Sequence, residues 1–143
     1  MATEGDRDAH SACNFDVDLG GESVGFAEVS GLGYELDYGG DVIVGRVGNV
    51  TLRRAVTGDL TLWSWVRRAL DGAFEPGTVR VTLLDSRREP VCIWELRGTR
   101  PLKWNGPDFN ASANDVAMEE VVLTAEGLEF RPTRRRSTVD EEP

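Results

Sequence analysis

Residues 14–29 read NFDVDLGGESVGFAEV, and the spacing of apolar residues in this stretch decides the fold class. Phe15, Val17 and Leu19 fall on one side of an extended chain and Asp16 and Asp18 on the other, the alternation of a strand with one wet face. The Gly20-Gly21 pair then turns the chain into a second extended piece, Ser23 to Val29. The same period of two returns downstream. Gly33 to Tyr38 is extended and is punctuated by Gly39-Gly40. Asn49 to Val56, NVTLRRAV, sets Val50, Leu52 and Arg54 against Thr51, Arg53 and Ala55. Val79 to Leu84 and Val91 to Arg97 flank the turn-forming stretch 85–90, DSRREP. A long strand over Val116 to Ala125 ends at Glu126-Gly127.

The period changes once. Asp59 to Leu70, DLTLWSWVRRAL, places Leu60, Trp63, Val66, Arg67 and Leu70 at helical spacing, with Arg68 and Ser64 left to face water. Thr57 or Asp59 caps its start, and Gly72 follows its end, where a left-handed residue is wanted. Trp63 and Trp65 read as core plus a second packing surface. Short strands, frequent turn signals and one helix predict a mainly β fold, a small β-barrel or sandwich carrying a helix.

The chain has 143 residues and a formal charge of -9, the size of one soluble domain. Both ends differ in composition from the centre. Residues 1–13 are expected to be a flexible polar leader and 131–143 a flexible charged tail, leaving 14–130 as the domain. No apolar run reaches the length of a membrane span and no secretory signal opens the chain, so synthesis and initial residence in the cytoplasm are expected. The net acidity argues against nucleic acid as a partner. Lys103 is the only lysine, every other basic residue being arginine. Arginine suits bidentate contacts at protein interfaces.

Catalysis finds little support. His10 is the only histidine and lies in the leader, which removes the usual base for a serine or cysteine nucleophile. Cys13 and Cys92 are too far apart for a redox or zinc pair, and Cys92 reads as a buried thiol. Glu119 and Glu120 are adjacent in a strand and point to opposite faces, so they cannot share a substrate. The segment 31–45, GLGYELDYGGDVIVG, leads into strands and lacks the Lys-Ser/Thr of a phosphate loop, so its glycines read as turn makers. No enzyme, no cofactor and no metal are expected. Residues 103–111, KWNGPDFNA, read as a shaped corner. Pro107 keeps its predecessor out of helical geometry, Gly106 is expected to take dihedrals closed to other residues, and Trp104 and Phe109 pin the corner to the body or to a neighbour. As an exposed pair, those aromatics would instead make a carbohydrate- or protein-binding platform.

Three stretches taken in order, NFDVDLGGESVGFAEVSGLGYELDY, VGNVTLRRAVTGDLTLWSWVRRALDG and the run from Val79 to Phe130 that contains KWNGPDFNA, give the chain a specific likeness. It resembles the tail-tube proteins of contractile phages and of extracellular contractile injection systems, relatives of the type VI secretion tube protein. The resemblance implies a small antiparallel barrel of two packed sheets with one helix. It also implies a structural subunit of an inner tube, assembled as stacked hexameric rings around a cargo-carrying lumen. The partners it implies are further copies of the chain, a sheath protein, baseplate or tube-initiating proteins and lumen cargo, in a phage-tail-like particle that is cytoplasmic or released. A tube-initiating ring at the baseplate is the alternative with the same fold.

On this reading Tyr38, Gly39, Gly40, Asp41 and Arg46 lie in a short apolar segment expected to meet the next ring. Arg53, Lys103, Trp104, Asn105, Glu119 and Glu120 complete the expected subunit and ring contacts, with Glu119 and Glu120 on opposite surfaces. The strand from Val116 to Ala125 is expected to pair with another subunit.

Overall fold

A computed structural model describes residues 14–72, 75–106 and 117–133. It contains β1 (Phe15–Leu19), β2 (Ser23–Phe26), β3 (Glu28–Ser30), β4 (Tyr34–Gly39), β5 (Val42–Val47) and β6 (Val50–Ala55). After these come α1 (Thr61–Leu70), β7 (Gly77–Leu84), β8 (Pro90–Asn105), β9 (Met118–Thr124) and β10 (Gly127–Pro132). The main sheet runs β2-β1-β7-β8-β9-β6-β3, with β10 added on β8 and β4-β5 forming a sheet of their own. Each pairing is antiparallel. The expected fold class is the observed one.

The long strand β8 turns this path into two packed layers. Its first half pairs with β7 and β10, and its second half pairs with β9. Between them Gly98 takes φ 62°, a left-handed conformation that lets one strand change direction without steric cost. The two ends of the path, β2 and β3, are separated in the chain only by Ala27, whose N–H donates to Arg53 O at 2.9 Å. The barrel is therefore drawn together at this margin by chain continuity and is not closed by a ladder.

The alternating residues of both layers meet inside. Val17, Leu19, Val24 and Phe26 come from β1 and β2, Val79, Val81 and Leu96 from β7 and β8, and Val50, Leu52, Val121 and Leu123 from β6 and β9. The buried side of β6 is the expected set Val50, Leu52 and Arg54. The helix differs from its sequence reading. It buries Leu62, Trp65 and Val66, while Leu60 and Leu70 are exposed. Asp59 explains the start: its carboxylate accepts from Thr61 N at 3.0 Å and from the Thr61 hydroxyl at 2.7 Å. Leu60 is thereby left outside the first turn. Gly72 ends the helix at φ 75° as expected.

Two strands and half of a third were not foreseen. Val42–Val47 forms β5, the second half of β8 extends through Asn105, and Gly127–Pro132 forms β10. The last carries ordered chain two residues past the expected limit at 130. Residues 1–13 and 134–143, and with them most of the two end segments, lie outside the described residues.

Candidate assembly surfaces

The residues expected at contacts divide into three groups by where the strands place them. Tyr38, Gly39, Gly40, Asp41 and Arg46 all sit on the β4-β5 hairpin, and all are exposed. The hairpin turns through Gly40 and Asp41, with Gly40 at φ 67°, the left-handed residue that a tight hairpin requires. Its register pairs Tyr34 with Val47, Leu36 with Gly45 and Tyr38 with Ile43, so one face carries Tyr34, Leu36, Tyr38, Ile43 and Val47. Gly45 leaves room on this face for the Tyr34 ring and Leu36, which lie 3.3 and 3.5 Å from where its Cβ would be. None of the described residues covers the outer part of this face: Leu36 is 55% and Tyr38 69% exposed. An apolar two-stranded ribbon is marginal in water on its own, which makes this exposed face a candidate interaction surface.

The second group lies on the outer face of the layer formed by β3, β6, β9 and the end of β8. Glu28 pairs with Arg53, Arg53 with Glu120, and Glu120 with Asn105, making one row across these strands. Lys103 stands beside it, opposite Val122. Arg53 donates to Glu28 at 3.0 Å. Arg53, Lys103, Asn105 and Glu120 thus share one polar face.

Trp104 and Glu119 do not belong to a surface. Glu119 is only 7% exposed and Arg54 4%. Arg54 Nε donates to Glu119 Oε2 at 2.8 Å, and the Trp104 indole donates to Glu119 Oε1 at 3.1 Å. The remaining guanidinium nitrogens reach Asp59, one donating to its carbonyl at 2.9 Å and the other lying 3.5 Å from its carboxylate. Both oxygens of the buried carboxylate are therefore satisfied, as burial of a charge demands. The Trp104 ring packs on Trp63 with centroids 5.0 Å apart, which joins the end of β8 to the helix. The expectation that Glu119 and Glu120 serve opposite surfaces is corrected: Glu120 faces out, and Glu119 holds the core. Trp104 is pinned to the body and offers no open platform; Phe109 lies outside the described residues. Sequence reasoning missed the pair although Arg54 had been placed on the apolar side of β6. A buried arginine needs a buried acid, and that was the available signal.

Two further expectations change. β9 pairs with β6 on one side and β8 on the other, both in the same chain, so this strand has no edge for another subunit. Gly106 does not take a positive φ; a Cβ there would meet the Trp104 ring at 3.3 Å, so space rather than backbone conformation favours glycine. Among the described residues no group of three or more His, Cys, Asp or Glu side chains is placed to hold a metal, and no helix is long and apolar enough to cross a membrane.

The family model for the T4-like virus tail tube protein gp19 matches residues 43–129, which spans β5 to β10. The chain belongs to this tail-tube family. No curated protein sequence matches it. Among solved structures, the extended sheath-tube complex of an extracellular contractile injection system, PVC, contains a chain with 24% identity and TM-score 0.68. That match covers 92% of this chain and 100% of the other. The sheath/tube terminator of the same system gives 25% identity, TM-score 0.67, and coverage of 82% and 93%. Hcp1 from Flavobacterium johnsoniae shares the fold at 16% identity and TM-score 0.61, with coverage of 83% and 95%. The tail-tube fold thus extends to the type VI protein at an identity too low to carry anything but the fold.

Proposed function

We propose that the chain is a non-enzymatic building block of the inner tube of a phage-tail-like contractile injection system, assembling as stacked hexameric rings around a cargo-carrying lumen. The observation that carries this reading is the β4-β5 hairpin, which projects a row of exposed apolar side chains that the other described residues leave uncovered. Family membership supplies the context, and the outer row Glu28–Arg53–Glu120–Asn105 supplies a second polar surface for contact with copies or lumen. Sheath and baseplate proteins are the further partners this role requires, in a particle made in the cytoplasm.

A terminating or tube-initiating ring is the second reading, favoured by the likeness to the sheath/tube terminator and to a chain of the anti-feeding prophage baseplate. Electron microscopy of concentrated protein tests the main reading: extended tubes are expected, isolated rings indicate a terminating or initiating role, and dispersed subunits overturn both. The pair Leu36→Ser and Tyr38→Ser should abolish tubes while leaving the melting temperature of the free subunit within about 2 °C. Unchanged tubes would remove the hairpin from the interface.

A further inference from the structure

Among the described residues, β10 is the outer strand of its layer and pairs only with β8. The ladder bond from Thr133 N to Val91 O fixes which residues point where. In an antiparallel pair the residues that bond the partner recur every second position, so 127, 129, 131 and 133 face β8. Leu128, Phe130 and Pro132 therefore turn their backbone groups away from the sheet. Each of these positions is treated differently. The Tyr34 hydroxyl accepts from Leu128 N at 2.9 Å and donates to Leu128 O at 3.0 Å, filling the place a neighbouring strand would take. Pro132 has no N–H to offer. Only Phe130 presents both an outward donor and an outward acceptor, and its ring, 60% exposed, lies against Trp94 with centroids 5.3 Å apart.

This edge is self-complementary. A second copy laid antiparallel across Phe130 would set Phe130 against Phe130, Glu129 against Arg131 and Leu128 against Pro132. Opposite charges would face each other twice, and the two aromatic rings would meet beside their Trp94 partners. The Phe130 pair would exchange both backbone bonds, and each Leu128 N–H would reach the opposing Pro132 carbonyl. That last contact requires the space the Tyr34 phenol occupies. We propose that Tyr34 is a guard on this edge: with the hairpin docked, β10 cannot take the β10 strand of a second copy, and drawing the hairpin away opens it. Exposed edges template unwanted pairing unless blocked, and here the block is carried by the same hairpin that forms the candidate assembly surface. Occupation of the hairpin elsewhere and opening of β10 are then one event.

The test uses the full chain as free subunit. Amide hydrogen exchange of Tyr34→Phe should raise the Leu128 exchange rate about tenfold, the loss expected for one removed hydrogen bond, with amides of β9 unchanged. An unaltered Leu128 rate overturns the guard. Tyr34→Ser, which also removes the ring, should associate into two-fold dimers at about tenfold lower concentration than the parent chain by sedimentation. Adding Arg131→Glu should reverse this gain, and adding Glu129→Arg to that variant should restore it, because the charges again oppose. Association indifferent to these charge changes, or no gain in Tyr34→Ser, overturns the proposed register. Sedimentation separates a dimer from a hexameric ring by mass, so the outcome stands apart from the tube reading.

Discussion

The β4-β5 hairpin and the β6-β9 pair obey the same alternation and end in opposite circumstances. Val50, Leu52, Val121 and Leu123 are buried to completion between two layers, whereas Leu36, Tyr38 and Ile43 repeat the pattern on a ribbon that no described residue covers. Even charge is handled differently. On the hairpin Glu35 and Arg46 oppose each other in register among exposed residues, but in the body Arg54 and Glu119 are sealed in with Trp104. Period two therefore reports a strand, and says nothing of whether the cover for its apolar face comes from the same molecule.

The contrast is broken most severely from the body side. Arg54→Ala would leave the Glu119 carboxyl buried with the indole as its one remaining partner, at a cost of about 3–5 kcal/mol, read as a large drop in the urea midpoint. A change under 1 kcal/mol would mean that Glu119 is rehydrated on losing its partner. Next in size is the junction. Gly31 holds φ 88°, and a Cβ there would sit 2.1 Å from the Asn49 carbonyl oxygen, where the chain entering the hairpin passes the chain leaving it. Gly31→Ala should cost about 2 kcal/mol or more in thermal unfolding and displace the hairpin; native-like stability would show that the crossing relaxes freely.

The smallest effect sharpens the comparison through pH. Hydrogen bonds from Thr61, side chain first and then backbone, hold the Asp59 carboxyl below its ordinary 3.8, with Arg54 adding to the effect. A depressed folded-state value means the contribution is present above 3.8 and is lost as pH falls through the lowered value. Asp59→Asn should therefore reduce stability at pH 7 and flatten its fall on acidification below about pH 4. A parallel pair of pH profiles would remove Asp59 from the acid response.

Much of the architecture was readable because its signals are local. Asp16 and Asp18 between apolar neighbours, the Gly20-Gly21 turn and the apolar side of β6 each follow from a few consecutive residues. What was missed depends on contacts distant in the chain. The helix face was misphased because Asp59 binds Thr61 and starts the helix after Leu60, so Leu62 and Trp65 turn inward. The second half of β8 looked like part of a corner because Pro101 and the Trp-Asn-Gly sequence mimic loop composition, while the register shift between Pro101 and Lys103 accommodates them within the ladder. Of the expected contact residues, those on the hairpin came from the family resemblance, and the structure places all five on one exposed hairpin. The burial of Glu119 was not legible, since its partner lies 65 positions away and only the fold unites them.

Gly98 lets a single strand serve both layers, and this has a mechanical corollary. A push on one wall of the subunit is delivered to the other through an unbroken covalent backbone, without relying on side-chain friction between sheets. Neither wall has a complete set of strands once β8 is severed, so the subunit should yield as a whole or not at all.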